Sequence, residues 1–223
     1  MHHDQFWRPD STRSERAREI ALEIVSSEQC PIDLARYYQT EGPYAGATFV
    51  DLAPVDPFTV TASDLLAATT LSVSVAPVAI RRFVDRADEL SAQLREIPET
   101  LTLEAVDSPH EAAAMAAFYA SVKACLYKAG AQTGNAWVTA SKICARKRPQ
   151  LFPVRDRVVM TLLGLKGNYA DDWPVFAALI GDAEIRGHLD AAFQRAAQQK
   201  CVGLGDPGLR LRHLDVALWM SGR

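Results

Sequence analysis

The chain has 223 residues, of which 48% are apolar and 23% are charged, and its formal net charge is −3. This balance is ordinary for a folded globular protein and excludes a disordered chain, a collagen-like chain and a disulfide scaffold. The charges are uneven, because residues 1–138 hold 11 basic and 19 acidic side chains whereas residues 139–223 hold 13 and 8. The excess of positive charge in the C-terminal part raises the question of an anionic partner.

The termini, the apolar runs and the cysteines predict a cytoplasmic protein with no membrane segment. The first residues lack the basic and then apolar stretch of a secretory signal. The longest uncharged run, 65–80, is too short and too polar for a membrane span. Cys30, Cys125, Cys144 and Cys201 form no C-x-x-C pair, so we expect small buried thiols. The zinc and iron–sulfur patterns are absent, and no cofactor is predicted.

Helical periodicity dominates the first half of the chain. Residues 12–25 predict an amphipathic helix with capping-box spacing at its start. Residues 40–60 contain Gly and Pro breakers, and 47–51 is predicted as a short strand or an extended crossing. A capping box at 61–64 opens a helix to about residue 72. Pro77 begins a helix to about residue 97, which is predicted to turn these apolar side chains inward: Ile80, Phe83, Val84, Ala87, Leu90 and Leu94.

The second half continues the helical pattern. Ser108, Pro109 and Glu111 have the spacing of a capping box and predict a helix through residue 128. Further helices are predicted over these segments: from about 139 to before Pro149, 157–165 behind a capping Asp156, 172–180, 184–200 and 209–220. The sequence therefore predicts an all-α fold of nine or ten helices. We divide it into an N-terminal helix with an irregular crossing segment, 1–60, and a helical core, 61–223.

One segment, 134–159, carries most of the functional information. It comprises a Gly turn, a helix, a Pro-containing loop and an Asp at the next helix start. A helix that begins just after Gly134 would present free backbone N–H groups, which bind phosphate. Six basic residues surround Asp156: Lys142, Arg146, Lys147, Arg148, Arg155 and Arg157. They indicate either a solvated helix face and loop, or a surface that binds phosphate with a salt-dependent affinity.

The order and spacing of this segment resemble the core of the helix-hairpin-helix DNA glycosylases, and the resemblance implies a degenerate helix-hairpin-helix-like module at about 130–160. Gly134 matches the first hairpin glycine of that family, Thr139-Ala140 its Thr-Ala helix start, and Val154-x-Asp156 its apolar-x-Asp end. The second hairpin glycine is replaced by Ala136, and Val138 stands where the bifunctional members carry a catalytic Lys. The resemblance implies a monofunctional glycosylase without lyase activity. It also implies that Asp156 activates water or stabilises an oxocarbenium ion.

Our leading interpretation is a DNA-binding protein, with monofunctional base excision as its candidate activity. Asp156 would be catalytic, and duplex DNA would contact the 142–157 segment and the helix start through these residues: Gly134, Thr139, Lys142, Arg146, Lys147, Arg148 and Arg155. The alternative is a non-catalytic helical interaction or scaffold protein in which Asp156 serves only as an N-cap. The enzyme interpretation requires Asp156 to open into a concave pocket on the same face as the 134–139 turn.

Three further features of the sequence bear on family and function. Over its whole length the chain resembles an actinobacterial family of unknown function, through residues 61–67, 145–156 and 214–219. Arg212 and Asp215, spaced i, i+3 on the last helix, favour a packed ion pair, and a pocket wall is the alternative. The G-x-G-x-x-G pattern at 203–208 favours a helix end and turn over a dinucleotide site, because no strand is predicted before it.

Overall fold

The computed structural model describes residues 11–128, 136–166 and 168–223. Over these ranges the fold is all-α, as predicted, with twelve α-helices, a single 3₁₀ turn at Leu103–Ala105 and no strand beyond an isolated bridge between Gln39 and Val202. The helices are α1 Ser11–Ser26, α2 Cys30–Tyr37, α3 Gly46–Asp51, α4 Ala62–Thr70, α5 Pro77–Asp85, α6 Ala87–Arg95, α7 Pro109–Cys125, α8 Trp137–Lys147, α9 Arg157–Leu162, α10 Tyr169–Gly181, α11 Ala183–Ala197 and α12 Arg210–Ser221.

Short-range signals set many of the helix starts. The capping boxes predicted at Thr61 and Ser108 are both present, each with reciprocal bonds between the side chain and the backbone. Asp156 caps α9 by accepting from the Val158 N–H, and Asp182 caps α11. The predicted hairpin with Gly134 lies in 129–135, outside the described residues, so the helix-hairpin-helix-like module remains a prediction.

The structure corrects the prediction for residues 47–51. They belong to helix α3, not to a strand or an extended crossing. Gly46 permits this helix to lie against α2, because a Cβ at this position would come within 2.4 Å of the Tyr37 ring. Helix α2 itself was not predicted. Its start has Pro31 in the first turn, where proline is tolerated.

The helix predicted over 77–97 is divided into α5 and α6 at Arg86, which leaves the helical conformation at φ −108° and ψ 18°. Because of this break, the apolar face of α6 does not continue that of α5. A prediction that assumes one continuous helix therefore cannot place the apolar side chains of both. Phe83, Leu90 and Leu94 are buried as predicted, but Ile80 and Val84 are 45% and 70% exposed, which contradicts their predicted inward orientation.

Helix α12 lies at the centre of the fold. It contacts α1, α2, α9, α10 and α11. The eight residues from Leu211 to Leu218 are all buried, so α12 is covered on every side. Its polar side chains Arg212, His213 and Asp215 therefore lie in the interior, where each needs a partner supplied by a neighbouring element.

Three of the four cysteines are buried, as predicted. Cys30, Cys125 and Cys144 are buried and Cys201 is exposed, and all four are free. In the described part of the chain, no helix combines the length and the apolar character needed to cross a membrane.

A candidate ligand-binding cavity

The three consecutive cations at the end of α8 are buried, contrary to the expectation of a solvated face. Arg146, Lys147 and Arg148 are each 7% exposed or less. Their side chains donate to backbone carbonyl oxygens of the 49–59 segment, which comprises the α3 end and the irregular residues after it, and of the α6 end. The acceptors are Phe49, Val50 and Leu52 for Arg146, Asp56 and Thr59 for Lys147, and Pro57, Leu94 and Ile97 for Arg148.

Asp64 supplies the buried counter-charge for this cluster. Its Oδ2 lies 2.8 Å from Lys147 Nζ, and its Oδ1 lies 3.4 Å from Arg146 Nε. Asp64 is fully buried and is also the reciprocal residue of the α4 capping box. Burial lowers the pKa of Lys147, and the bond to Asp64 opposes this shift. The hydrogen bonds and ion pairs of this cluster hold the 49–59 segment and α4 against α8.

Arg155 is also buried and fully engaged. Its guanidinium binds Asp172 Oδ2 at 2.6 and 3.0 Å and donates to the Tyr119 hydroxyl at 2.6 Å. A phosphate contact from Arg146, Lys147, Arg148 or Arg155 would require these internal bonds to break. Of the other two predicted contacts on α8, Thr139 is partly buried and Lys142 is buried. The predicted DNA-contacting residues thus form no common exposed surface in the described ranges.

Asp156 and Lys142, in contrast, line a cavity of about 830 Å³. The cavity lies where α8, the start of α9 and α12 meet the segments 40–48 and 70–73. Its size is that of a typical small-molecule site. Asp156 therefore lines a concave pocket, as the enzyme interpretation requires, whereas residues 134 and 135 of the turn that should share this face lie outside the described residues. Arg157, the sixth basic residue of the segment, is exposed and also lines the cavity.

The two charged groups of α8 and α9 are held in place by the backbone. Asp156 Oδ1 accepts from the Val158 N–H at 3.0 Å, and Oδ2 lies 3.5 Å from Lys142 Nζ. Lys142 also donates to the Leu71 carbonyl oxygen at 2.7 Å. Burial lowers the pKa of Lys142, while Asp156 opposes the shift. This pair presents a fixed carboxylate and an adjacent ammonium group to the cavity.

Three aromatic side chains form another part of the wall. Tyr37 and Tyr44 are stacked with centroids 5.7 Å apart, and Trp219 meets both rings edge-on at 5.6 and 5.7 Å. Arg223 lies over Trp219 at 4.3 Å. These residues come from α2, the 40–48 segment and the α12 end. Their separation in sequence explains why no local pattern predicted the aromatic wall.

Arg212 and Asp215 line the same cavity, so the pocket-wall alternative describes them better than a direct ion pair. Arg212 donates to the Tyr37 hydroxyl at 2.9 Å, and its guanidinium lies over the Phe49 ring. Asp215 Oδ2 accepts from the Val154 N–H at 2.7 Å. Burial raises the pKa of Asp215 to about 8, although Arg212 and the Val154 bond act in the opposite direction.

In the parts of the chain that the structure describes, no group of three or more His, Cys, Asp or Glu side chains is arranged to hold a metal ion. The cavity chemistry consists instead of carboxyl groups, cations and aromatic rings.

Comparison with known families places the chain in one of them. A family described as of unknown function, DUF6308, matches residues 32–222. The chain belongs to this family. No curated protein and no solved structure matches the chain. The matched range includes every residue that lines the cavity except Arg223.

Proposed function

We propose that this member of the DUF6308 family binds a nucleotide in the cavity, and that Asp156 promotes cleavage of its N-glycosidic bond. One observation carries the proposal: the Asp156 carboxylate, 3.5 Å from Lys142 Nζ, lines the same cavity as the aromatic side chains Tyr37, Tyr44 and Trp219. Aromatic faces stack on planar heterocycles, and polar groups at fixed positions orient them.

The charge of the cavity favours an anionic ligand. Four cationic side chains line it: Lys142, Arg157, Arg212 and Arg223. Two carboxyl groups, Asp156 and Asp215, oppose them, and the raised pKa of Asp215 leaves that group mainly neutral at pH 7. The cavity is therefore net positive. Arg157 and Arg223 are exposed and lie where a phosphate group would remain in contact with solvent.

Asp156 has the position of a general base. Its Oδ1 is fixed by the Val158 N–H, which leaves Oδ2 to accept a proton from a water molecule. The water oxygen bonds to C1′ of the sugar, the C1′–N bond breaks, and the base departs with the electron pair and takes a proton from solvent. The nearby Asp156 charge stabilises the developing oxocarbenium ion. The resemblance of residues 134–159 to helix-hairpin-helix DNA glycosylases supports this chemistry.

The nucleotide has two sources, a free mononucleotide or a nucleotide extruded from DNA. Isothermal titration calorimetry with 2′-deoxyadenosine 5′-monophosphate tests the first, and titration of a mismatched duplex at low and high salt tests the second. A DNA ligand predicts that log K falls linearly with log salt. Base release from a panel of damaged duplexes tests the chemical step.

The diagnostic variant is Asp156→Asn, which keeps an acceptor for the α9 cap but removes the charge. We expect it to abolish base release while the circular dichroism spectrum stays unchanged. Asp182→Asn is the matched control, because Asp182 caps α11 in the same way and does not line the cavity. Equal inertness of the wild type and Asp156→Asn would reject the catalytic part.

One observation favours the non-catalytic alternative: the side chains of Arg146, Lys147 and Arg148 are bonded to groups inside the protein. Absence of binding to both the mononucleotide and the duplex would support it. Binding without base release would leave a nucleotide-binding protein with no excision activity.

A further inference from the structure

Asp215 is a second carboxyl group of the cavity, and its two oxygens differ in environment. Oδ2 is bonded to the Val154 N–H at 2.7 Å. Oδ1 is buried and has no hydrogen-bond partner within the described residues. The residue is 2% exposed. A buried carboxyl oxygen without a partner is costly, and such atoms in native proteins call for an explanation.

Resting on the proposed function, we infer that Asp215 is a ligand-binding residue that acts in its protonated form, donating a hydrogen bond from Oδ1 to an acceptor atom of the nucleotide base. The base of a bound nucleotide offers ring nitrogens and carbonyl oxygens that accept such a bond. The two carboxyl groups then have complementary roles, because Asp156 accepts a proton and Asp215 presents one.

The surroundings of Asp215 favour the neutral form. Burial raises its pKa to about 8, and the negative charge of Asp156, at the start of α9, adds to the shift. Arg212 on the same helix opposes the shift, but its guanidinium donates to the Tyr37 hydroxyl instead of to Asp215. From α8, Lys142 is directed to Asp156 and the Leu71 carbonyl oxygen. The Tyr38 phenol of α2 stays neutral, because burial raises its pKa.

Asp215 also positions Asp156. Its bond to the Val154 N–H fixes the backbone two residues before Asp156, and the Asp156 N–H donates to the Val154 carbonyl oxygen at 2.9 Å. An Asn at position 215 reproduces both roles of a protonated Asp. Its carbonyl oxygen accepts from Val154, and its amide nitrogen donates toward the ligand. Asp215→Asn is therefore a mimic of the neutral acid that cannot titrate.

The test is the affinity for 2′-deoxyadenosine 5′-monophosphate between pH 7 and pH 9, a range above the second phosphate pKa of about 6. If only the protonated form binds, the wild-type affinity falls about tenfold across this range. We expect Asp215→Asn to match the wild type within about twofold at pH 7 and to lose most of the decline. Any slope left in Asp215→Asn belongs to other groups such as Lys142.

Three results overturn the inference. An Asp215→Asn affinity tenfold or more below that of the wild type at pH 7 indicates a role as a charged carboxylate. A wild-type affinity that is flat from pH 7 to pH 9 excludes a titrating donor, and this result stands even if the variant fails to fold. Absence of wild-type binding overturns the proposed function together with this inference, whereas the first two results leave the proposed function intact.

Discussion

The buried cation cluster predicts a large loss of stability when its buried carboxylate, Asp64, is removed. In the variant Asp64→Ala, Lys147 Nζ loses a partner at 2.8 Å and Arg146 Nε loses one at 3.4 Å. Both cations have little contact with solvent, since the side chains of Lys147 and Arg146 are 0% and 4% exposed. The same variant also loses the Asp64 half of the α4 capping box.

The magnitude follows from the burial. Removing one partner of a buried ion pair costs about 3–5 kcal/mol, because the remaining charge has no compensation. The Thr61 cap itself stays, and loss of the reciprocal bond from the Thr61 N–H to Asp64 adds about 1 kcal/mol. A domain of this kind is stable by about 5–15 kcal/mol, so Asp64→Ala is expected to lose a large fraction of its free energy of unfolding.

The assay is urea denaturation followed by circular dichroism, with Asp190→Ala as the matched control. Asp190 pairs with Arg210 at 2.8 Å, but both side chains are about 40% exposed, so its loss costs about 1 kcal/mol or less. The double variant Asp64→Leu with Lys147→Met should recover part of the loss, because it removes the charge as well as its partner. If Asp64→Ala costs no more than Asp190→Ala, the cations do not depend on Asp64 and the reasoning fails.

Two other predictions concern packing and pH. Gly46→Ala should destabilise the fold by about 1–3 kcal/mol in the same assay, because the new Cβ meets the Tyr37 ring at 2.4 Å. The control is Gly187→Ala in α11, which has no neighbour within 4 Å and should be neutral or stabilising. A loss of stability in Gly187→Ala equal to that in Gly46→Ala would contradict the packing explanation. Burial lowers the pKa of His213 to about 4, so the contribution of the neutral imidazole to stability is complete above pH 6.5 and is lost as pH falls through 4. The difference in free energy of unfolding between the wild type and His213→Gln should therefore shrink from pH 7 to pH 4. A difference that grows in acid would refute the lowered pKa of His213.

The buried basic residues also change how a mutational test of DNA binding is read. Charge reversal of Lys147 and Arg148 places carboxylates against backbone carbonyl oxygens that these cations now bind. Such a variant is expected to unfold, so loss of DNA binding in it says nothing about phosphate contacts. Arg157→Glu is the better substitution, because Arg157 is exposed and lines the cavity.

The sequence by itself determined the all-α class and several helix starts, because these depend on groups within three or four residues of one another. The Thr61 and Ser108 capping boxes and the Asp156 and Asp182 caps are of this kind. The position of Asp156 at a helix start was also readable, since an N-cap needs only the amide groups that follow it.

Only the tertiary structure decided which charges are buried and which side chains share a cavity. Lys147 is paired with Asp64 and with carbonyl oxygens about 90 residues away in sequence, and no local pattern encodes these partners. The cavity brings Tyr37, Asp156 and Trp219 together from three helix ends. A run of basic residues looks the same in sequence whether it faces water or backbone carbonyl groups, because the difference is set by packing between distant elements.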